Sequence, residues 1–398
     1  MRKVIASLLL LIACTTASEL RGQWVATSFV QPAGNSFLSV GSYLFAAGYG
    51  RLWRTTDLGT TWLEWDNGIP GDVDVLDVIQ YHNDLILSTD FARVYRSTDA
   101  GVTWYPCPNL GLHPQGVGQM IVMGDTIVAE AAGSFIVRTY DEGVHWETMP
   151  SLYDTVAACF HQDRGVLYAG TPRGVMRSYD TGVSWHNLTP WLRDTAVWAV
   201  ETHGRYIFAG LQKGKIIRST DSGVTWQHLN AFQSTYTCEA LLFVGDTLFA
   251  GLVGGGGVIL STDLGTTWHN ASEGLANVDV LKFYIWKGCL FEGGLGGIWR
   301  RPLSEFSGVK LSAVPLSAGL SISTSQDNNV HLEFQEENNS ILQIEFFDVL
   351  GRRVASYSFR SVAGLNRASY PFAHVASGTY VCRISGNQTM SKRFSIIR

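Results

Sequence analysis

Charge is scarce in this 398-residue chain: Asp, Glu, Lys and Arg make up 16% of it, and the formal net charge is −5. No Lys/Arg run concentrates positive charge, and the balance moves to about −7 once the two cations Arg2 and Lys3 leave with a leader. Nucleic acid is therefore not an expected partner. Cysteine is sparse too, at positions 14, 107, 159, 238, 289 and 382, with no C-x-x-C spacing. Neither a zinc site nor a disulfide framework is expected, and strand positions such as Cys159 and Cys238 read as small buried residues. Beyond the leader, no apolar run is long enough to span a bilayer. H-E-x-x-H, G-x-x-x-x-G-K-S/T and G-x-S-x-G are absent, and Gly254 to Gly257 reads as a loop without the strand and helix a phosphate cradle needs. No cofactor or metal is implied.

What is plentiful is glycine, 42 residues, and aromatic side chains, 12% of the chain. That balance suits short, tightly turned strands, and the length suits about two domains of an all-β chain. The first residues read as an export signal, 1–18: a basic Met1-Arg2-Lys3, an apolar Val4 to Ala13, then small residues. Cleavage near Ala17 or Ser18 is the favoured reading. Leu11-Ile12-Ala13-Cys14 also resembles a bacterial lipobox, which leaves lipidation of Cys14 as the alternative.

A unit of about 41 residues repeats along most of the chain. Its clearest part is Thr55-Thr56-Asp57-Leu58-Gly59-Thr60-Thr61-Trp62, which recurs around Asp99, Asp141, Asp180, Asp221 and Asp263 at intervals of 42, 42, 39, 41 and 42. At each copy the carboxylate is suited to accept N–H bonds across a tight turn, Gly to supply an unusual dihedral and Trp to pack between sheets. One carboxylate per turn offers no converging metal set. His145 stands where other copies have Thr or Ser, and strand packing is its expected role. Upstream of each copy lies an apolar strand pair such as Tyr43-Leu44-Phe45-Ala46-Ala47-Gly48 with Leu52-Trp53-Arg54. A seventh pair, Cys289 to Gly294 with Gly297 to Arg300, lacks the Asp element and the strand after it. Gly22-Gln23-Trp24-Val25-Ala26 has the look of that missing strand, so the N-terminal segment is expected to close the ring.

The S/T-x-D-x-G-x-T/S-W element resembles the Asp box of sialidase-like propellers. The resemblance implies a seven-bladed β-propeller over 19–303, with the six aspartates as structural residues. A linker, 304–319, should precede a small β-sandwich over 320–398, where Val330 to Phe334 and Leu342 to Phe346 alternate. Three segments of this tail resemble the type A sorting domain of type IX secretion cargo in the Bacteroidetes. They are Phe347-Asp348-Val349-Leu350-Gly351-Arg352, then Ser377-Gly378-Thr379-Tyr380 and the terminal Lys392-Arg393-Phe394. The Asn-Pro usual near the start of such domains is absent. The resemblance implies type IX secretion machinery as a partner and the cell surface or exterior as the destination.

Ligand chemistry is expected on the face opposite the Asp turns. Candidates between blades are Asp72, Asp74, Asp77, Tyr153, Asp154, Trp191, Arg193, Asp194, Tyr236 and Asp279, with Tyr49, Phe91, Arg173, Lys213 and Lys215 in the inner turns. The early arginine motif of sialidases is missing between Arg21 and Arg51. Two functions stay open: a non-enzymatic module binding a protein or polysaccharide, and a glycoside hydrolase pairing Asp72 with Asp154 or Asp194. A scaffold like the photosystem II assembly propellers, which share a single ring of this kind, is a third.

Overall fold

The computed structural model describes residues 22–29, 33–48, 50–90, 93–109, 111, 117–131, 135–149, 157–192, 195–213, 215–229, 235–275, 279–306, 321–324, 329–336, 341–348, 353–361, 364–371, 378–385 and 389–396. The leader, with Cys14, lies outside them. The first unit holds seven four-stranded antiparallel blades. The strands nearest the axis are Ala33–Val40, Val75–Tyr81, Val117–Met123, Cys159–Asp163, Val197–His203, Thr237–Val244 and Val280–Trp286. These seven touch their counterparts in the neighbouring blades.

The second strand of each blade is apolar on both sides because a blade packs against each face. Leu44 and Ala46 join the seventh blade's Phe291 and Ile298, while Phe45 and Ala47 join the second blade's Val78 and Leu85. Each such Leu or Phe withdrawn from water contributes about 1.5–3 kcal/mol.

The repeat turns share one geometry. Asp57 Oδ1 accepts the Thr61 N–H at 2.9 Å and the Thr55 hydroxyl at 2.8 Å, and Oδ2 accepts the Thr61 hydroxyl at 2.7 Å. The other five aspartates, Asp99, Asp141, Asp180, Asp221 and Asp263, repeat the pattern. Thr225's hydroxyl and N–H hold Asp221 down to about 2. Positive φ at two successive residues, 58° at Ala100 and 85° at Gly101, bends the chain as a type I′ turn does. A Cβ on Gly101 would also stand 3.1 Å from the Phe45 ring of the preceding blade. His145 departs from its expected packing role. It is exposed in the turn, and its Nδ1 meets Asp141 Oδ2 at 2.7 Å where Thr or Ser puts a hydroxyl elsewhere.

The ring closes between distant parts of the chain. Val25–Ala26 pairs with Gly297–Pro302 as the fourth strand of the seventh blade, Val25 opposite Arg300 and Ala26 opposite Trp299. Trp24 takes the place of a repeat tryptophan. Its N–H donates to the Glu273 carbonyl at 2.7 Å, as the Trp104 N–H does to Asn67 at 2.9 Å. Gly274 lies so close beneath it that a Cβ there would come 2.6 Å from the Trp24 carbonyl oxygen.

No turn can join the third and fourth strands of this blade, since they come from opposite ends of the unit. Glu305 substitutes for the missing aspartate: its Oε2 accepts the Gly22 N–H at 2.8 Å. Phe306 covers Phe249 edge-on at 5.0 Å, and Arg301 bonds Glu273 at 2.9 Å and the Glu305 carbonyl at 3.2 Å. Packing of the ring thus reaches Phe306, inside the segment expected as linker.

The chain divides into two units at Leu311 and Ser312. The second contains a three-stranded sheet, Ser321–Thr324, Asn329–Glu336 and Gly364–Pro371. It also has a four-stranded one ordered Arg353–Arg360, Ile341–Asp348, Gly378–Ser385, Thr389–Ile396. Alternate residues Val330, Leu332, Phe334, Leu342, Ile344 and Phe346 form its core with Tyr380, Cys382 and Ile384. Cys238 is likewise fully buried, whereas Cys159 is only partly so.

One core residue breaks the pattern. Glu292, on the second strand of the seventh blade, is wholly buried, and neither carboxyl oxygen has a hydrogen-bond partner among the described residues. Burial pushes its pKa well above the ordinary value. The folded carboxyl therefore keeps its proton at pH values where the unfolded one ionises, so its contribution is fully present below about pH 4 and is lost as pH rises through the folded pKa.

Two outcomes are expected. Deleting Gln23 to Ser28 lowers the melting temperature strongly and Glu305→Ala lowers stability by about 0.5–1.5 kcal/mol; an unchanged melt for the deletion refutes this closure. Glu292→Gln gains stability relative to the native chain increasingly from acid to alkaline pH, which denaturant titration at several pH values checks; a pH-independent difference contradicts a neutral buried carboxyl.

Candidate functional site

Antiparallel strand order sends the turns after the first and third strands to one face. The turns after the second strand and the connections between blades go to the other. The six Asp turns occupy the first face and spend their carboxylates on their own backbone, so chemistry is left to the second.

Near this second face a bulge interrupts six of the innermost strands, as between Val75 and Asp77 or Val197 and Ala199. Asp77, expected in a between-blade segment, is instead a buried strand residue. Its Oδ2 accepts the Met120 N–H of the next blade at 2.6 Å and its Oδ1 the Val78 N–H at 2.8 Å. Burial raises its pKa, opposed by these bonds and by the Lys282 charge. Gln119 performs the same bridging one blade on, accepting the Phe160 N–H at 2.9 Å. Asp77 thus fastens neighbouring blades, because the extra residue of the bulge directs its carboxyl at backbone rather than solvent.

Asp279 is also committed to structure. Its Oδ1 accepts the N–H groups of Gly254 and Gly255 at 2.7 and 2.8 Å, which ties down the glycine-rich turn. Asp74 is tied to Asp90, whose Oδ1 accepts its N–H at 2.9 Å, and Asp72 is exposed. Tyr236 packs against the cluster between the fifth and sixth blades. Tyr49, Phe91, Tyr153, Asp154, Arg193 and Asp194 lie outside the described residues, and with them the Asp72–Asp154 and Asp72–Asp194 separations.

Acidic side chains on this face gather in two sectors. Asp72, Asp74, Asp90 and Glu130 belong to the second and third blades, and Glu239 and Asp279 flank the sixth. Burial lifts Glu130 to about 7 and, with the Asp279 charge, raises Glu239. On the fourth and fifth blades Arg173, Lys213 and Lys215 are exposed, alongside Trp191 and Trp198, which are 48% and 36% exposed.

Other titratable groups lie deeper. His161 Nε2 meets the Thr202 hydroxyl at 2.9 Å, and its Nδ1 stands 3.7 Å from Glu201 Oε2. Burial lowers the His161 pKa and raises that of Glu201, each toward its uncharged form. Among the described residues no three His, Cys, Asp or Glu side chains cluster as a metal site would require.

Glu130 and Glu292 escaped the sequence reading although a signal existed. Glu292 stands where five other blades have Ala46, Ala129, Ala169, Ala209 and Ala250, and Glu130 where four have Gly170, Gly210, Gly251 and Gly293. Aligning the repeats position by position exposes both as departures.

In the tail, Asp348 ends a strand opposite Tyr380, Gly378 begins the strand that carries buried Tyr380, and Lys392 pairs with Cys382. Gly351 and Arg352 lie outside the described residues.

No curated protein matches the chain. A family model described as a secretion system C-terminal sorting domain matches residues 326–398. Among solved structures, YCF48 bound to D1 peptide is 18% identical with a TM-score of 0.59, covering 70% of this chain and 94% of that one. The extracellular domain of BT4673 from B. thetaiotaomicron is 12% identical with a TM-score of 0.56, over 94% of this chain and 59% of that one. The xyloglucanase of Xanthomonas campestris is 12% identical with a TM-score of 0.56, over 92% and 75%. At such identities the likeness speaks for fold alone. The chain is an exported protein in which a seven-bladed β-propeller is followed by a type IX secretion sorting domain that directs it to the cell surface or beyond.

Proposed function

We propose that the propeller is a non-catalytic binding module that engages a protein or polysaccharide outside the cell through the face opposite its repeat turns. The observation that carries this reading is the pair of tryptophans exposed on the second face, Trp191 in a connection between blades and Trp198 on an innermost strand, while all six turn aspartates are used up within their own turns. Exposed aromatic side chains beside cations are the composition of binding surfaces rather than of inert ones. YCF48, similar in fold, is bound to D1 peptide in its own structure, which lends support to a ligand on a ring of this kind.

A glycoside hydrolase is the second reading. In its favour is Glu130, half-buried beside Gly118 and raised to about 7, the protonation state a general acid needs. A glycan array and a pull-down from cell-surface extract, run beside hydrolysis assays on a polysaccharide panel, separate the two. Binding without release of reducing ends is expected. Turnover abolished by Glu130→Gln or Asp72→Asn would sink the binding-only reading.

The secretion route has its own test. Removing residues 320–398 is expected to strand the ring in the periplasm, and unchanged surface exposure of the truncated chain would refute a sorting role. The mass and both termini of the mature protein decide between cleavage near Ala17 and lipidation of Cys14, and whether the tail is removed after export.

A further inference from the structure

We infer that the fourth and fifth blades carry a binding track for an anionic polysaccharide, bounded by Trp191 at the rim and Trp198 at the axis, with Arg173, Lys213 and Lys215 in the same sector. The inference deepens the binding-module reading and rests on it.

Trp191 stands in the connection between the two blades, and its ring meets His228 of the fifth blade's outermost strand edge to face at 5.7 Å. Trp198 is the extra residue of the bulge between Val197 and Ala199 on that blade's innermost strand. A bulge re-aims a side chain, and the indole here is 36% exposed between buried Val197 and Ala199. The two indoles therefore sit at opposite ends of one blade's radius on one face.

The cations between them are available. Arg173 and Lys213 lie in the turns joining second to third strands, Lys215 begins the third strand of the fifth blade, and all three are exposed. None has a carboxylate partner among the described residues. Several other cations of the ring do: Arg51 pairs with Asp66, Arg96 with Asp84, Arg138 with Glu147, and Arg301 with Glu273. Among the described residues the acidic side chains of this face gather on other blades, in a chain of net charge −5.

These features select the ligand. Unpaired cations call for an anion, and indoles offer flat apolar faces on which sugar rings stack. Two like platforms separated along a radius, with charge between them, suit a polymer that presents the same ring and the same charge repeatedly. An acidic peptide satisfies the cations but has no repeated ring for the second indole.

The test uses the full mature chain. Polygalacturonate and chondroitin sulfate serve as anionic probes, dextran as the neutral one and poly-glutamate as the acidic peptide, with affinity measured by calorimetry at low and high salt. The anionic polysaccharides are expected to bind, dextran not. Trp191→Ala and Trp198→Ala should each weaken binding about tenfold, and Lys213→Glu with Lys215→Glu should remove most of its salt dependence. Poly-glutamate should bind weakly and without regard to the tryptophans.

No saturable binding of either anionic polysaccharide overturns the track, as does binding that survives both tryptophan changes. Poly-glutamate binding as tightly, with the same tryptophan dependence, overturns the polysaccharide assignment in favour of a peptide. If polygalacturonate binding ignores the tryptophans but is lost in Arg93→Glu, on the second blade, the track fails while a ligand face remains. Unaltered thermal melts of the variants show that the ring is intact, and the salt dependence of the unsubstituted chain tests the charge requirement without any variant.

Discussion

Every blade but one is a continuous stretch of chain, and the ring depends on how that one is completed. Val25–Ala26 must find Gly297–Pro302 across almost the whole propeller sequence. Without that pairing the last blade exposes an edge and the seam between the sixth and seventh blades loses Trp24. The seam is fitted with copies of what the repeat uses elsewhere. Trp24 fills a repeat tryptophan's place over Gly274, and Glu305 supplies the carboxylate that no covalent turn can deliver. Stability in such arrays comes from each unit and its neighbours, so a weak junction anywhere is a weak ring.

The same economy explains the two faces. On one, each aspartate satisfies its own turn and is unavailable for anything else. Around the axis, Asp77 and Gln119 reach from one blade to backbone N–H groups of the next, so even polar side chains of the innermost strands serve cohesion. Such groups tolerate burial because they are bonded. Glu292 is not, and it stays in the fold as an uncharged acid at a cost that depends on pH. What remains for recognition is the second face, where connections vary from blade to blade and the repeat imposes least.

Much of the fold was legible in the sequence because a closed repeat writes its constraints many times. The spacing of Asp57 through Asp263, the paired apolar strands and the orphan strand around Trp24 were each readable, since every one is a local pattern. The candidate site was less legible. Asp77 and Asp279 have the composition of solvent-facing loop residues, yet one is turned inward by a bulge and the other holds a glycine turn from the adjacent blade. Bulge placement and contacts across blades have no local signature. His145 also reads differently in place, because its distance to Asp141 matters more than its strand propensity.

By itself the sequence determined an exported all-β chain, the number of its blades, the identity of the closing strand and the sorting character of its tail. The blades and the closing strand follow from periodicity and hydrophobic alternation, and the sorting character from the resemblance of short tail motifs to type IX sorting domains. Only the tertiary structure decided which carboxylates are committed, that Glu305 and Phe306 belong to the ring, and that Trp198 is left exposed at a bulge. The physical reason is that burial and partnership are set by residues about 40 or about 280 positions away, brought together when the ring closes, and no local stretch of chain records them.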